Sequence, residues 1–260
     1  MDPLNNRVLE KLRRGETALV ASTTPVGSPK IAELIGLCGF DCLWIDMEHQ
    51  DYSWDDAWAM SLACRSTGMA PMIRVRREGR HSLPRAFEAG ALGAMVPHCM
   101  GGADAREIVR DGKFAPVGLR GIDGVEAAAR YGMMPTARYM DWANRETFLC
   151  VQIEDHEAVD EIDEIAATPG VDILFVGPAD LSQSYGCFGQ PGHPSMKRAF
   201  EAVAAAAARH GKWWGSTSAT PERARELMDM GARFLTTVSA IGLLRKGFQE
   251  TYAAWDALRC

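Results

Sequence analysis

FLCVQIEDHEAVDEIDEIAATPGVDILFVGPADLS (residues 148–182) reads as one strand–helix–strand unit, and that reading decides the fold. FLCVQIE (148–154) is short, nearly continuous in apolar character and rich in β-branched and aromatic residues, as expected of a parallel strand covered on both faces. HEAVDEIDEIAAT then places apolar residues at helical spacing, Gly170 follows where a left-handed residue ends a helix, and ILFVGP (173–178) starts the next strand.

The same junction recurs in both directions. Upstream lie the apolar runs TALVAST (17–23), DCLWIDM (41–47), APMIRV (70–75) and GAMVPH (93–98); downstream lie KWWGSTS (212–218) and FLTTVSA (234–240). Stretches such as SWDDAWAMSLACRST, SLPRAFEAG, ADAREIVRDG, SMKRAFEAVAAAAARHG and TPERARELMDMG have helical spacing, and Gly39, Gly68, Gly90, Gly211 and Gly231 fall just after helical runs. Eight strands with helical crossovers predict an α/β fold, a (β/α)₈ TIM barrel, as one domain over residues 1–260. An open doubly wound sheet usually carries G-x-G-x-x-G after its first strand, and that fingerprint is absent. The longest irregular segment, from about Pro116 to Trp142, is expected to be a functional loop or lid. The last stretch, IGLLRKGFQETYAAWDALRC, places Leu243, Leu244, Phe248, Tyr252, Trp255 and Leu258 on one helical face that closes the barrel or docks on a neighbouring subunit.

Composition narrows the function classes. The chain is 47% hydrophobic and 24% charged, which is ordinary for a globular protein with a large core. Its net charge is −6 and its 28 basic residues are scattered, so no basic stripe offers itself to nucleic acid. No apolar run is long enough to span a bilayer and MDPLNNRVLEKLRRGE has no apolar leader core, which leads to the expectation of a cytoplasmic protein with no membrane partner. Seven cysteines form no C-x-x-C pair and read as small buried hydrophobes.

In such barrels the reactive groups come from the C-terminal ends of the strands. Those ends offer Ser22 and Thr23; Asp46, Glu48 and His49; Arg74; His98; Gln152 and Glu154; Asp180; and Ser216 with Thr217. Glu154 and Asp180 end neighbouring strands, about 5 Å apart, and two carboxylates at one depth can share a hard divalent cation, Mg²⁺ or else Mn²⁺ or Co²⁺. Capping of the following helices would also account for acidic residues there. His49 follows Asp46 by three residues, so an Asp–His pair can fix the imidazole tautomer and make it a general base. Arg74 can hold a carboxylate or a developing enolate oxygen, and a rim salt bridge to Asp46 or Glu48 is compatible with that role. Arg76, Arg77 and Arg80 read as solvated loop charges. None of the six lysines (11, 30, 113, 197, 212 and 246) ends a strand, so a Schiff-base lysine has no candidate and metal-assisted enolate chemistry is the better-supported route.

GFDCLWIDMEH (39–49), the VQIE and GPADLS segments of the opening stretch, and APVGLRG (115–121) closely resemble the metal-dependent aldolases of the HpcH/HpaI family, which includes 4-hydroxy-2-oxoheptanedioate and 2-keto-3-deoxy sugar-acid aldolases. The resemblance runs in order over roughly residues 15 to 240. It implies a TIM barrel, a divalent metal, a 2-oxo acid substrate with pyruvate as product, and a homo-oligomer, a trimer or hexamer, with exchanged C-terminal helices. Carried over by motif, the metal carboxylates fall on Glu154 and Asp180, the Asp–His dyad on Asp46 and His49, the enolate-binding arginine on Arg74 and the pyruvate-contacting glutamine on Gln152. The N–H groups of Ala179 and Asp180 would then meet the pyruvate carboxylate. Three loops depart from the family pattern: VRREGRHS after strand three, WWGSTSAT at strand seven and TVSAIG at strand eight, which places the identity of the aldehyde in question.

The expectation is therefore a lyase that reversibly cleaves a 4-hydroxy-2-oxo acid to pyruvate and an aldehyde. The rivals are a related enzyme on the same barrel, an oxaloacetate decarboxylase or a citrate-lyase-like acyl-CoA lyase, and a barrel without activity that serves as a binding module.

Overall fold

Side chains alternate between the two faces of a strand, and in this chain that period builds two separate cores. The structure, a computed structural model, describes residues 5–79 and 81–259; Met1–Leu4, Arg80 and Cys260, with the reading of Arg80 as a loop charge, lie outside them. Eight parallel strands close a barrel in sequence order: β1 Ala18–Ser22, β2 Cys42–Asp46, β3 Ala70–Arg74, β4 Gly93–Val96, β5 Phe148–Ile153, β6 Ile173–Val176, β7 Trp213–Thr217 and β8 Phe234–Ser239, with β8 pairing back onto β1. All eight expected strands are present, and the TIM barrel is the fold.

One face of each strand fills the barrel. Val20, Trp44, Met72, Met95, Cys150, Phe175 and Phe234 belong to this inner cluster, with Trp44 and Phe175 edge to face at 5.5 Å between centroids. The other face, including Leu43, Ile45, Ile73, Val151 and Leu174, packs on the surrounding helices. Polar side chains take over from apolar ones only where the inner face reaches the C-terminal rim, so the packed interior forms the floor of the mouth.

Two sequence expectations change. Of the segment 116–142, Thr136 onward starts a helix, Thr136–Glu146, whose Tyr139, Trp142 and Ala143 are buried. It joins the helix Arg7–Arg13 in the inner cluster. Asn6 Nδ2 donates both to the Glu146 carbonyl at the end of this helix and to the Leu92 carbonyl just before β4, so within one chain the helix packs at the N-terminal end of the barrel rather than covering the mouth. HEAVDEIDEIAAT forms two short helices, His156–Asp160 and Ile162–Ala167, broken at Glu161.

The C-terminal helix Ala240–Asp256 leaves the barrel with Leu243, Phe248, Tyr252 and Trp255 exposed; Trp255 keeps 69% of its surface open. Among the described residues no helix is long and apolar enough to cross a membrane.

Candidate active site

Register brings the site together. Asp46 and Arg74 are direct partners at the ends of β2 and β3 and share the inner face, so a buried carboxylate meets a buried guanidinium at one height. Arg74 Nε donates to Asp46 Oδ1 at 2.9 Å and Nη2 to Oδ2 at 2.6 Å, the two-pronged geometry that suits this pair. Its third nitrogen, Nη1, lies 2.9 Å from Glu48 Oε2 and donates to Gln152 Oε1 at 3.4 Å. The guanidinium carbon sits 4.8 Å above the Trp44 ring, adding a cation–π contact.

The network continues along β5. Gln152 Nε2 donates to Glu154 Oε2 at 2.9 Å, and the His98 backbone N–H donates to Glu154 Oε1 at 2.9 Å. His98 adopts a left-handed backbone (φ 48°), uncommon for a residue with a side chain, and this turn is what aims its N–H at Glu154. The imidazole of His98 faces Asp155 at 2.8 Å. Burial pulls the His98 pKa down, but the Asp155 hydrogen bond and the charges of Glu154, Asp155 and Glu48 outweigh it and leave it raised.

Glu154 is 2% exposed. Burial pushes its pKa from an ordinary 4.5 to about 7, with Asp180 and Glu48 adding to the rise and the His98 N–H and imidazole opposing it. The end of β6 passes close by: a side chain at Gly177 would collide with the Glu154 carboxylate, so only glycine permits this approach. Asp180 follows in the first turn of the helix Pro178–Ser184, where the N–H groups of Ala179 and Asp180 have no intrahelical acceptor. Asp46 and Glu48 thus pair with one guanidinium, Gln152 links it to Glu154, and Asp180 acts on Glu154 from the end of β6. A buried carboxylate that is hard to ionise, with two more carboxylates raising the cost, is the donor set a hard divalent cation relieves, so the residues fit one. Among the described residues no group of three or more His, Cys, Asp or Glu side chains forms a metal cage, so this would be an open site completed by water and substrate.

The expected Asp46–His49 side-chain pair is not formed. Asp46 gives its oxygens to Arg74 and to the backbone N–H groups of Glu48 (3.1 Å) and His49 (3.4 Å), and so shapes the loop that carries His49. The carboxylate near the imidazole is Glu48, 3.7 Å from His49 Nε2, and the ring itself is 62% exposed. Arg76 and Arg77 are anchored rather than solvated: Arg76 donates to the carbonyls of Met47 and Gln50, closing the same loop, and Arg77 pairs with Asp104. Thr23 and Ser216 turn away from the mouth, toward Met60 Sδ and the Val176 carbonyl. The sequence reading missed Glu48 as the imidazole's neighbour and the His98 backbone as the holder of Glu154.

Beside this charged half of the mouth lies a second half built from β7, β8 and β1. A cavity of about 360 Å³ there is bounded by Trp44, Asp46 and Arg74 and by the hydroxyl residues Ser22, Thr24, Thr217, Ser218, Thr236 and Ser239.

The chain is similar in sequence and in fold to known proteins. The family model for HpcH/HpaI aldolase/citrate lyase matches residues 24–246. The chain is similar to 2-dehydro-3,6-dideoxy-6-sulfogluconate aldolase of Pseudomonas putida (34% identity, 87% of this chain and 88% of the relative). It is also similar to hydroxypyruvate/pyruvate aldolase of Sagittula stellata (32% identity, 98% of this chain and all of the relative). Among solved structures, an HpcH/HpaI aldolase of Desulfitobacterium hafniense DCB-2 superposes with a TM-score of 0.89 at 28% identity, covering 95% of both chains.

Proposed function

We propose, because the chain belongs to the HpcH/HpaI aldolase/citrate lyase family, that it is a carbon–carbon lyase that reversibly cleaves a 4-hydroxy-2-oxo acid to pyruvate and an aldehyde, with Glu154 and Asp180 holding a divalent cation. The observation that carries this reading is the buried Glu154 beside Asp180, linked through Gln152 to Arg74. When bound, the cation, Mg²⁺, Mn²⁺ or Co²⁺, supplies Lewis-acid polarisation of the substrate's keto group.

The chain's own residues do the rest. The N–H groups of Ala179 and Asp180 bind the substrate carboxylate, and Gln152 orients the keto acid between Arg74 and Glu154. His49 takes the proton of the C4 hydroxyl, the C4–O bond becomes a carbonyl, and the C3–C4 electron pair passes into the pyruvate enolate. Arg74 stabilises the enolate oxygen as charge arrives there. Return of the proton to C3 gives pyruvate and leaves His49 as it began, so the cycle consumes nothing but substrate. Glu48 holds the imidazole, while Asp46 keeps Arg74 aimed. The exposed apolar face of Ala240–Asp256 supports a homo-oligomer in which this helix packs on a neighbouring copy.

Pyruvate released from a 4-hydroxy-2-oxo acid, followed with lactate dehydrogenase, tests the reading. Cleavage is expected with Mg²⁺, Mn²⁺ or Co²⁺ and should vanish after EDTA treatment. Full activity in metal-free protein would refute the role given to Glu154 and Asp180.

A further inference from the structure

The contribution of β3 to the mouth continues past Arg74, into VRREGRHS (75–82), where the chain departs from the family pattern. Val75 packs outward against the helices, and the next two residues, Arg76 and Arg77, reach the loops on either side. Arg76 Nε donates to the carbonyl of Met47 at 2.6 Å and its Nη2 to the carbonyl of Gln50 at 2.9 Å, across the stretch that carries His49. Arg77 turns to β4 instead. Its Nη1 donates to the carbonyls of Pro97, at 3.4 Å, and of His98, and to Asp104 Oδ2, at 2.7 Å, on the helix Gly102–Gly112.

Both loops depend on such holds. Residues 48–50 lie in neither a helix nor a strand, and the His49 ring is 62% exposed, so the imidazole sits where its backbone puts it. Asp46 accepts from the N–H groups of Glu48 and His49, while Arg76 takes the carbonyls of the residues that flank them. At β4 the left-handed backbone of His98 aims its N–H at Glu154, a conformation that persists only where the surroundings impose it. The Pro97 carbonyl belongs to the same planar peptide as that N–H, so a donor fixed on the oxygen also fixes where the N–H points. Asp104 holds Arg77 in turn and accepts from the Met100 N–H at 3.0 Å, which ties the same turn from its other end.

We infer that Arg76 and Arg77 are positioning residues of the lyase: Arg76 sets the loop that carries His49, and Arg77 sets the peptide that holds Glu154 for its cation. The inference rests on the aldolase reading above and extends it to two residues that act through others. Arginine suits both places, because its rigid fork reaches two carbonyls at once and an ammonium does not. The two side chains are 39% and 38% exposed, so water can replace their bonds when they are removed. What substitution takes away is the aim of the groups beyond them.

Two measurements on Arg76→Met and Arg77→Met separate these roles. Exchange of the pyruvate methyl protons with D₂O, read by NMR after quenching with EDTA, reports proton transfer at saturating pyruvate and cation. Calorimetric titration with Mn²⁺ reports the cation site without turnover. Arg76→Met should slow exchange about ten- to a hundredfold, as misplacing a reacting group does, and leave the Mn²⁺ Kd within about twofold. Arg77→Met should raise the Mn²⁺ Kd about tenfold, as loss of an outer hold on a ligand does, and leave saturated exchange within about threefold. Removing a positive charge would by itself tighten a cation, so weaker binding is the result that positioning alone gives. Arg76→Lys and Arg77→Lys, which keep the charge and one donor, should show the same split at smaller size, and they decide the matter if a methionine variant fails to fold. Equal losses of both quantities in both variants would overturn the inference. So would exchange unmoved by Arg76→Met, or a cation affinity unmoved or improved by Arg77→Met. No exchange by the wild type with Mg²⁺, Mn²⁺ or Co²⁺ would instead remove the aldolase reading, and the role of Arg76 with it.

Discussion

Replacing Glu154 by Gln removes the one carboxyl of the mouth whose pKa is driven to about 7. A carboxyl with a raised folded pKa stabilises the folded state fully below its unfolded value, near 4.5, and that contribution is lost as pH climbs through about 7. The interval is about 2.5 pH units, or about 3–4 kcal/mol at roughly 1.4 kcal/mol per unit, of which about 3 kcal/mol is lost between pH 4.5 and pH 8. Metal-free wild type should therefore lose about 3 kcal/mol relative to Glu154→Gln between pH 4.5 and pH 8. In a domain of this size roughly 2–4 °C accompany each kcal/mol, so the gap in Tm should change by about 6–12 °C. Thermal melts of both proteins in EDTA across that range measure it. Losses that do not depend on pH, such as an imperfect contact to Gln152, cancel in the comparison. A divalent cation should reverse the balance at pH 8: at a hundredfold Kd it adds about 2.7 kcal/mol to the wild type and little to the variant. Melting curves that stay parallel from pH 4.5 to pH 8 would show that Glu154 is not held in a desolvated, anion-rich pocket.

Other substitutions separate the roles of neighbouring groups. Gly177→Ala should weaken cation binding at least tenfold by calorimetry, because the added methyl displaces the Glu154 carboxylate, and unchanged affinity would contradict the close packing seen at β6. Arg74→Lys should reduce kcat/KM for cleavage by about 10²–10³, since a point charge cannot replace a guanidinium bonded to Asp46 and Gln152 together. His49→Ala should lower kcat by about 10²–10⁴. Glu48→Gln should cost less, and a larger loss from Glu48→Gln than from His49→Ala would move the base to another group.

The barrel was legible because its signal is repeated: eight short apolar runs, each preceded by helical spacing, admit few arrangements. The helix Thr136–Glu146 was hidden by the glycines and prolines ahead of it, Gly118, Gly121, Gly124, Gly132 and Pro135, although Tyr139, Trp142 and Ala143 have the spacing of one buried face. At the rim, proximity in sequence was the weaker guide. Asp46 and His49 are three residues apart, yet register sets Asp46 against Arg74 across the sheet, and a strong two-pronged contact wins over the local pair. Ser216 and Thr217 both end β7, but alternation turns Ser216 outward to Val176. Counting strand parity from Trp44 and Phe175 would have separated these, except beside β1, where the register shift at Val20/Ala21 interrupts the count.

The two halves of the mouth differ in how freely they can change. In the charged half each group satisfies the next: Asp46 holds Arg74, Arg74 reaches Gln152, Gln152 holds Glu154, and Glu154 is held again by the His98 N–H. Removing any member strands a buried charge, which costs far more than a neutral hydrogen bond. In the other half the hydroxyls of Ser218 and Thr236 have no hydrogen-bond partner among the described residues, the two residues being joined through the Ser218 N–H and the Thr236 carbonyl, so replacing either side chain breaks no side-chain network. Under the proposed reaction, the charged half is the part that must be kept whole. The departures from the family pattern at β7 and β8 fall in the second part, away from the Asp46–Arg74–Gln152–Glu154 network.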